Sequence, residues 1–219
     1  MLELIQPISK RDQVVRAMKD AILSGTIEPG ASIVESKIAQ QLGAGVPLIR
    51  EALIELEHQG FVQRTPYKGT TVTKLSSSDV VHIFHLRVEL EAIAIEWAKE
   101  HATTADIESL RLEIRKMEDA AKNLDLPQFY EGDLAYHRKI WSLSGNPYLA
   151  DVLERLVVPL FAFFLMKTSR QQAHYVDSAC MHATIIDAMP EKSATELREM
   201  FKASLVNWKE DMLKVLFEE

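Results

Sequence analysis

Apolar residues recur at helical spacing in three segments near the start of the chain. This pattern predicts helices over about residues 10–23, 35–42 and 47–58. Ser9 is suited to cap the first helix, and Gly25, which tolerates a left-handed backbone, marks its end. The third helix has an inward apolar face formed by Ile49, Ala52, Leu53 and Leu56.

Two short β-rich runs follow the third helix. They cover residues 61–64 and 70–74 and flank a Pro-Tyr-Lys-Gly turn, which predicts a β-hairpin. The glycines at 43 and 45 turn the chain between the second and third helices. Two helices joined by a short turn and followed by a hairpin form a winged helix-turn-helix, so residues 1–75 are interpreted as a DNA-binding domain.

The remainder of the chain has a helical pattern almost throughout. Its predicted helices, separated by short polar or Gly/Pro breaks, cover about residues 79–101, 104–123, 127–143, 147–167, 171–189 and 192–217. No strand-like alternation occurs, which favours an antiparallel all-α helical bundle over residues 76–219. The predicted fold class is therefore mainly α, with a winged helix-turn-helix before the bundle.

Charge is distributed unevenly between the two predicted domains. The net charge of the chain is −7, but residues 1–75 carry nine Lys/Arg against eight Asp/Glu, and the rest carries 16 against 24. The overall acidity therefore does not argue against DNA binding by the first domain. Hydrophobic residues make up 47% of the chain and charged residues 26%, as in ordinary globular proteins.

The sequence indicates a cytoplasmic protein that does not associate with membranes. Its longest apolar run, residues 156–166, is interrupted by Pro159 and is too short to span a bilayer. The N-terminus lacks the basic and apolar regions of a signal peptide. A single cysteine, Cys180, excludes an intramolecular disulfide.

The stretch IREALIELEHQGFVQRTPYKGTTV, with the preceding helices, resembles the GntR superfamily of bacterial transcription regulators over about residues 10–75. The resemblance implies contacts with double-stranded DNA. The residues that it assigns to these contacts, on the first three helices and the wing, are Arg11, Arg16, Lys37, Arg50, Lys68, Gly69 and Thr70.

The turn and the start of the third helix, where base-reading residues are expected, differ from the pattern typical of that family. Where the family usually has Ser-Arg-Thr-Pro, this chain has Gly45, Val46, Pro47 and Leu48. Val46 is a candidate contact to a thymine methyl group, and Arg50 is the cation that remains on the outward face of the third helix. Two interpretations stay open: a DNA binder with an atypical operator preference, or a scaffold that has lost operator binding.

The stretches LRVELEAIAIEWA and FYEGDLAYHRKIWSLSGNPYLADVLERL resemble the FCD ligand-binding domain of the FadR branch, over about residues 78–215. Asp133 and His137 are four residues apart, a spacing that lets both hold one metal ion. The resemblance implies His182 as a third ligand. Ser204 stands at the position of the family's fourth ligand, a histidine, which predicts weak binding of a divalent transition metal, Zn or Ni. The alternative is that these histidines are ordinary packed residues of the bundle core and that no metal is bound.

The resemblance also implies a cavity for a small organic acid. Arg87 stands at the position of a family arginine that faces the ligand and is suited to bind a carboxylate. A salt bridge to Glu91 on the same helix is the alternative interpretation of Arg87. Tyr136 is a candidate for the cavity wall.

These features predict a ligand-responsive transcription regulator, a repressor, that binds a palindromic operator as a homodimer. We expect no enzymatic activity. One alternative is a helical-bundle metalloenzyme in which Asp133, His137 and His182 activate water, but no accompanying general base is evident. The other is a ligand-binding protein that has lost operator binding.

Overall fold

The structure is a computed structural model that describes residues 9–169 and 173–217, with the side chains of residues 173 and 174 excepted. The chain divides into two compact units, Met1–Lys74 and Leu75–Glu219. Within the described residues, no helix combines the length and the apolar character that crossing a membrane requires.

The first unit contains three helices and a small sheet within its described residues. In chain order they are α1 (Lys10–Leu23), β1 (Ser32–Ile33), α2 (Glu35–Leu42), α3 (Val46–His58), β2 (Val62–Thr65) and β3 (Gly69–Val72). The strand order is β1-β3-β2, and both pairings are antiparallel. This arrangement confirms the predicted winged helix-turn-helix, in which β2 and β3 form the hairpin of the wing.

Helix α3 is fixed by its apolar face. Ile49, Ala52, Leu53 and Leu56 are fully buried, and α3 packs against α1, α2 and β2. The helix begins one residue earlier than predicted, with Pro47 in its first turn, where the missing N–H has no intrahelical partner to lose. Burial of the inward face leaves the opposite face of α3 directed outward.

The second unit is a helical bundle, as predicted. Its helices in the described residues are α4 (Ser77–His101), α5 (Thr104–Asn123), α6 (Leu126–Leu143), α7 (Pro147–Thr168), α8 (Ala173–Ala188) and α9 (Ala194–Phe217). The predicted boundaries agree to within two residues, and the predicted start of α8 at residue 171 lies outside the described residues. Capping boxes at Ser76 and Thr103 explain the sharp starts of α4 and α5.

Helix α6 lies against three other helices. It packs against α4, α5 and α7, while α8 packs against α5 and α9. Gly132 permits the close approach to α5, since a Cβ atom there would lie 2.9 Å from Cγ of Met117. Side chains on different faces of α6 therefore contact α4, α5 and α7 within one core.

Candidate metal centre and nucleic-acid surface

The outward face of α3 carries one exposed cation, Arg50, within the part of the helix that the structure describes. Its Nε donates to Oε2 of Glu35 on α2 at 2.6 Å. Ile54, one turn further, is 53% exposed, and Val46 is half-buried at the start of the helix. Any anion that binds Arg50 would therefore have to compete with the Glu35 carboxylate.

The start of α3 is open to an anion. Gly45 caps it without a side-chain hydrogen bond, and the first turn contains no acidic residue. The N-terminus of a helix presents the positive end of its dipole, although in α3 Pro47 has no N–H and the N–H of Leu48 donates to the carbonyl of Gly45 at 3.0 Å. This end of α3 is suited to approach a phosphate.

The other predicted DNA contacts are mostly exposed. Lys37, Arg11, Arg16, Lys68 and Gly69 have exposed side chains or backbone, whereas Thr70 is only 7% exposed. Thr70 lies on the central strand β3, opposite Ile33 and Arg64, so its side chain belongs to the packed face of the sheet. Tyr67, which the resemblance did not assign to DNA, is fully exposed at the tip of the wing and has a positive φ of 64°.

In the second unit, three potential metal ligands converge. Asp133 and His137 project from α6 and His182 from α8, and this is the group of metal-ligating side chains found among the described residues. Nε2 of His137 lies 3.0 Å from Nε2 of His182. Oδ1 of Asp133 lies 3.1 Å from Nε2 of His182 and 3.7 Å from Nε2 of His137.

Hydrogen bonds fix the orientation of both imidazole rings. Nδ1 of His137 lies 2.7 Å from Oε1 of Glu91, and Nδ1 of His182 lies 2.6 Å from the backbone carbonyl of Ser178. A carbonyl or a carboxylate can only accept, so each ring donates through Nδ1. In a neutral imidazole, Nε2 then carries a lone pair. The lone pairs of His137 and His182 therefore face each other and Oδ1 of Asp133.

Such a convergence of acceptors needs a cation between them. Burial lowers the pKa of His137, which favours its neutral form. Burial by itself would raise the pKa of Asp133, but His182, His137 and Arg87 hold that pKa below its usual range. The cluster can be satisfied by a proton on one Nε2 atom or by a metal ion bound to all three groups.

The geometry fits a small divalent ion. Ligands about 2.0–2.1 Å from a tetrahedral zinc ion lie about 3.3 Å from one another, and the three distances here are 3.0, 3.1 and 3.7 Å. Both histidines donate a hydrogen bond from Nδ1–H to an oxygen, which is the usual arrangement of histidines that bind a metal through the other nitrogen. The residues present therefore fit a zinc-like ion.

The predicted fourth position is not part of this cluster. Ser204 is half-buried and its hydroxyl donates to the carbonyl of Met200 at 3.0 Å. Trp208 and Met212, further along α9, line the cavity instead. A metal ion held by three protein ligands would retain an open coordination position.

Arg87 forms the salt bridge with Glu91 that was one of its two interpretations, and it also lies in the wall of the cavity. It is 2% exposed, and its Nε donates to Oε2 of Glu91 at 2.7 Å. Its Nη1 is buried without a hydrogen-bond partner among the described residues, and Arg87 lines the same cavity as the cluster. The guanidinium lies over the ring of Phe161, 4.7 Å from its centroid. Arg87 is therefore in a salt bridge through Nε, while its Nη1 has no hydrogen-bond partner among the described residues.

The cavity is small and has aromatic walls. Its volume is about 30 Å³, and its aromatic lining consists of Phe129, Tyr130, Phe161, Phe164, Tyr175 and Trp208. Tyr136 does not line this cavity, contrary to expectation. Its ring packs edge-on against His137 and His182, with centroid distances of 5.2 and 4.3 Å.

Sequence reasoning missed three groups that support the cluster: Glu91, Trp141 and the carbonyl of Ser178. Glu91 was considered only as a partner of Arg87, although it also accepts from His137 and Trp141. A signal existed in the sequence, because a carboxylate within the apolar run of α4 is rarely buried without several partners.

Comparison with known proteins gives two family matches. The FCD domain model matches residues 82–207, and the model described as "Bacterial regulatory proteins, gntR family" matches residues 10–72. The HTH-type transcriptional regulator McbR of Escherichia coli (strain K12) is 28% identical over 146 residues, which cover 67% of this chain. The chain spans 66% of the length of McbR, just under two thirds.

One further protein and one solved structure are similar to this chain. The "Probable D-xylose utilization operon transcriptional repressor" of Paenarthrobacter nicotinovorans is 29% identical over 182 residues, which cover 81% of this chain and 77% of that protein. The structure of E. coli McbR/YncC has a TM-score of 0.70 at 22% identity and covers 94% of this chain and 98% of that one. The latter likeness establishes the shared fold.

The metal-free protein should lose stability as the pH falls below about 6.5. Burial holds the pKa of His137 below its ordinary value of 6.5, and unfolding restores that value. Below it, the unfolded chain binds more protons than the folded one, so the free energy of unfolding decreases with falling pH. Urea unfolding in the presence of a chelator, above and below this pH, measures the decrease.

The variant His137→Gln should show a smaller decrease, whereas His85→Gln, which changes an exposed histidine of α4, should match the wild type. An equal pH dependence in the wild type and His137→Gln would contradict this prediction.

Proposed function

This chain belongs to the gntR family of bacterial regulatory proteins and carries an FCD domain, and on that basis we propose that it is a transcription regulator that binds a DNA operator under the control of a small carboxylate. The observation that carries the proposal is the cavity of the second unit, where a metal-ligand cluster and an unpartnered guanidinium N–H meet. The first unit supplies the DNA-binding fold.

The proposed DNA contacts combine a small number of phosphate contacts with an unusual set of base-reading residues. Lys37, Lys68 and the exposed arginines of α1 would bind phosphates, and Arg50 would reach a base edge or a neighbouring phosphate. Val46 and Ile54 would offer apolar contacts to thymine methyl groups. With one cation on the reading face, operator preference is expected to be limited.

In the second unit, Asp133, His137 and His182 would hold a zinc or nickel ion. The bound ion would supply a positive, Lewis-acidic position for one oxygen of a carboxylate. Arg87 would donate from Nη1 to the other oxygen, while its Nε stays paired with Glu91. Trp208 and Met212 would exclude water from the apolar part of the ligand.

Charge balance favours a monocarboxylate. Arg87 and Glu91 neutralise each other, so with neutral histidines the buried cluster has one net negative charge, from Asp133. A divalent ion would change this net charge to one positive charge, and a single carboxylate would restore neutrality. Buried ionic groups are costly unless they are compensated in this way.

An enzymatic role has less support. A metal-activated water would need a general base beside it. Among the described residues that line the cavity, Asp133 is the only carboxylate, and it belongs to the cluster itself. The similar curated proteins are named as transcription regulators.

We further propose that the protein acts as a homodimer on a palindromic operator, as two winged helices would bind two half-sites. Large apolar side chains are exposed on several helices of the second unit, among them Leu86 on α4 and Val152 and Tyr148 on α7, with 56%, 50% and 82% exposure. A second copy of the chain would cover such positions. Sedimentation velocity with Leu86→Glu as the variant tests this association.

The variant Arg50→Ala should weaken operator binding by about 1–3 kcal/mol if Arg50 reads a base. Fluorescence anisotropy on the operator and on single-base variants of it would also show relaxed preference at one position. Arg115→Ala, which removes an exposed cation from α5, is the matched control and should bind as the wild type does. Unchanged affinity in Arg50→Ala would exclude Arg50 from the interface.

The variant Glu35→Gln should bind duplex DNA more tightly, by about threefold to tenfold, because the 2.6 Å ion pair with Arg50 is lost and one charge that repels phosphate is removed. Glu28→Gln makes the same charge change in an exposed loop and serves as the control. Salt titrations of both variants separate the general charge effect from the release of Arg50. Weaker binding by Glu35→Gln would show that Glu35 orients Arg50 for contact rather than competing with DNA.

The wild type should bind Zn²⁺ or Ni²⁺ and unfold at a higher temperature as the metal concentration rises. The stabilisation should reach about 2.7 kcal/mol at a hundred times the Kd. His182→Ala and Asp133→Asn should abolish this increase, and His85→Ala should retain it. Elemental analysis after dialysis gives the stoichiometry. Equal metal binding by His182→Ala and the wild type would refute the assignment of the cluster.

A further inference from the structure

We infer that Glu91 is a positioning residue that holds both His137 and Arg87, and so sets the metal-binding nitrogen and the anion-binding guanidinium relative to each other. The inference rests on the proposed function, because it assigns Glu91 a role toward the metal and the carboxylate proposed above.

The hydrogen bonds of Glu91 extend to two helices. Its Oε1 accepts from Nδ1 of His137 at 2.7 Å and from Nε1 of Trp141 at 3.0 Å, both on α6. Its Oε2 accepts from Nε of Arg87 at 2.7 Å, one turn earlier on α4. Glu91 is only 1% exposed, so these bonds replace water as the environment of the carboxylate. One side chain therefore joins the two parts of the proposed site.

The carboxylate can serve all three donors because it remains ionised. Burial by itself would raise the pKa of Glu91, yet the charges and hydrogen bonds of Arg87 and His137 hold this pKa well below its usual range. An ionised carboxylate has about four acceptor positions and no donor. It therefore keeps the proton of His137 on Nδ1 and leaves the lone pair of Nε2 directed to Asp133 and His182.

Glutamine at this position would lack that capacity. Its single oxygen cannot accept well from three donors, and its NH₂ group can donate to Nδ1 of His137. That donation would move the imidazole proton to Nε2, the nitrogen proposed to bind the metal. The guanidinium of Arg87 would also lose its charged partner and the hydrogen bond that orients it.

The test compares the Zn²⁺ affinity of the wild type, Glu91→Gln and Glu96→Gln by competition with a chromogenic chelator. Loss of a group that orients a metal-binding histidine typically lowers metal affinity by about tenfold to a hundredfold, and we expect this for Glu91→Gln. Glu96→Gln should bind as the wild type does. It is the matched control, because Glu96 lies on the same helix and pairs with Arg198 at 2.6 Å.

A spectroscopic measurement separates positioning from general loss of structure. The ¹⁵N chemical shifts of the metal-free protein should show His137 protonated at Nδ1 in the wild type and in Glu96→Gln. In Glu91→Gln, the fraction protonated at Nε2 should rise. An unchanged His137 tautomer together with an unchanged Zn²⁺ affinity would overturn the inference.

A second variant covers the case in which Glu91→Gln does not fold, since it leaves the Arg87 charge buried and unpaired. The double variant Arg87→Gln/Glu91→Gln removes both charges together. It should fold and still bind Zn²⁺ at least tenfold more weakly than the wild type. Wild-type affinity in the double variant would show that His137 needs no carboxylate, which overturns the inference.

The outcomes distinguish this inference from the proposed function. If the wild type binds Zn²⁺, Asp133→Asn does not, and Glu91→Gln binds as the wild type does, the metal site stands and only the role of Glu91 fails. If the wild type itself binds no Zn²⁺, the metal part of the proposed function fails, and the inference fails with it.

Discussion

A charge that is buried must be compensated where it lies, and this requirement organises the core of the second unit. Arg87 on α4 is matched by Glu91, Glu91 accepts from His137 on α6, and His137 faces His182 on α8 and Asp133 on its own helix. The hydrogen bonds from Arg87 and His137 to Glu91 are both 2.7 Å long, and little water is available to screen these charges. The network therefore fixes three helices at once, and apolar packing around it fills the remaining space.

Local features of the fold were predictable from the sequence, because they depend on neighbours in the chain. Apolar periodicity and the capping residues Ser9, Ser76 and Thr103 place the helix starts, and α5 was predicted to the residue. The strand β1 was not predicted, since a two-residue strand exists only through its pairing with β3. Likewise, side chains alternate between the two faces of β3, and Thr70 is on the buried face. The family resemblance had assigned Thr70 to a DNA contact.

The candidate site was predictable in part. The spacing of Asp133 and His137 places both on one face of a helix, but the approach of His182 is a tertiary contact and was available only through the family resemblance. Glu91 was misjudged because an Arg–Glu pair four residues apart resembles an ordinary helix-surface pair. Its burial, and the two donors that reach it from α6, follow from how α4 packs against α6.

The volume of the cavity has a consequence for how a ligand can act. An ion held by Asp133, His137 and His182 would take up part of this space of about 30 Å³, so a longer acid would have to displace part of the wall. The side chains that α9 contributes to this wall are Trp208 and Met212. In the proposed function, an acid that exceeds this space would therefore have to move Trp208 and Met212, and with them α9, whereas the shortest acids would fit without moving the helix.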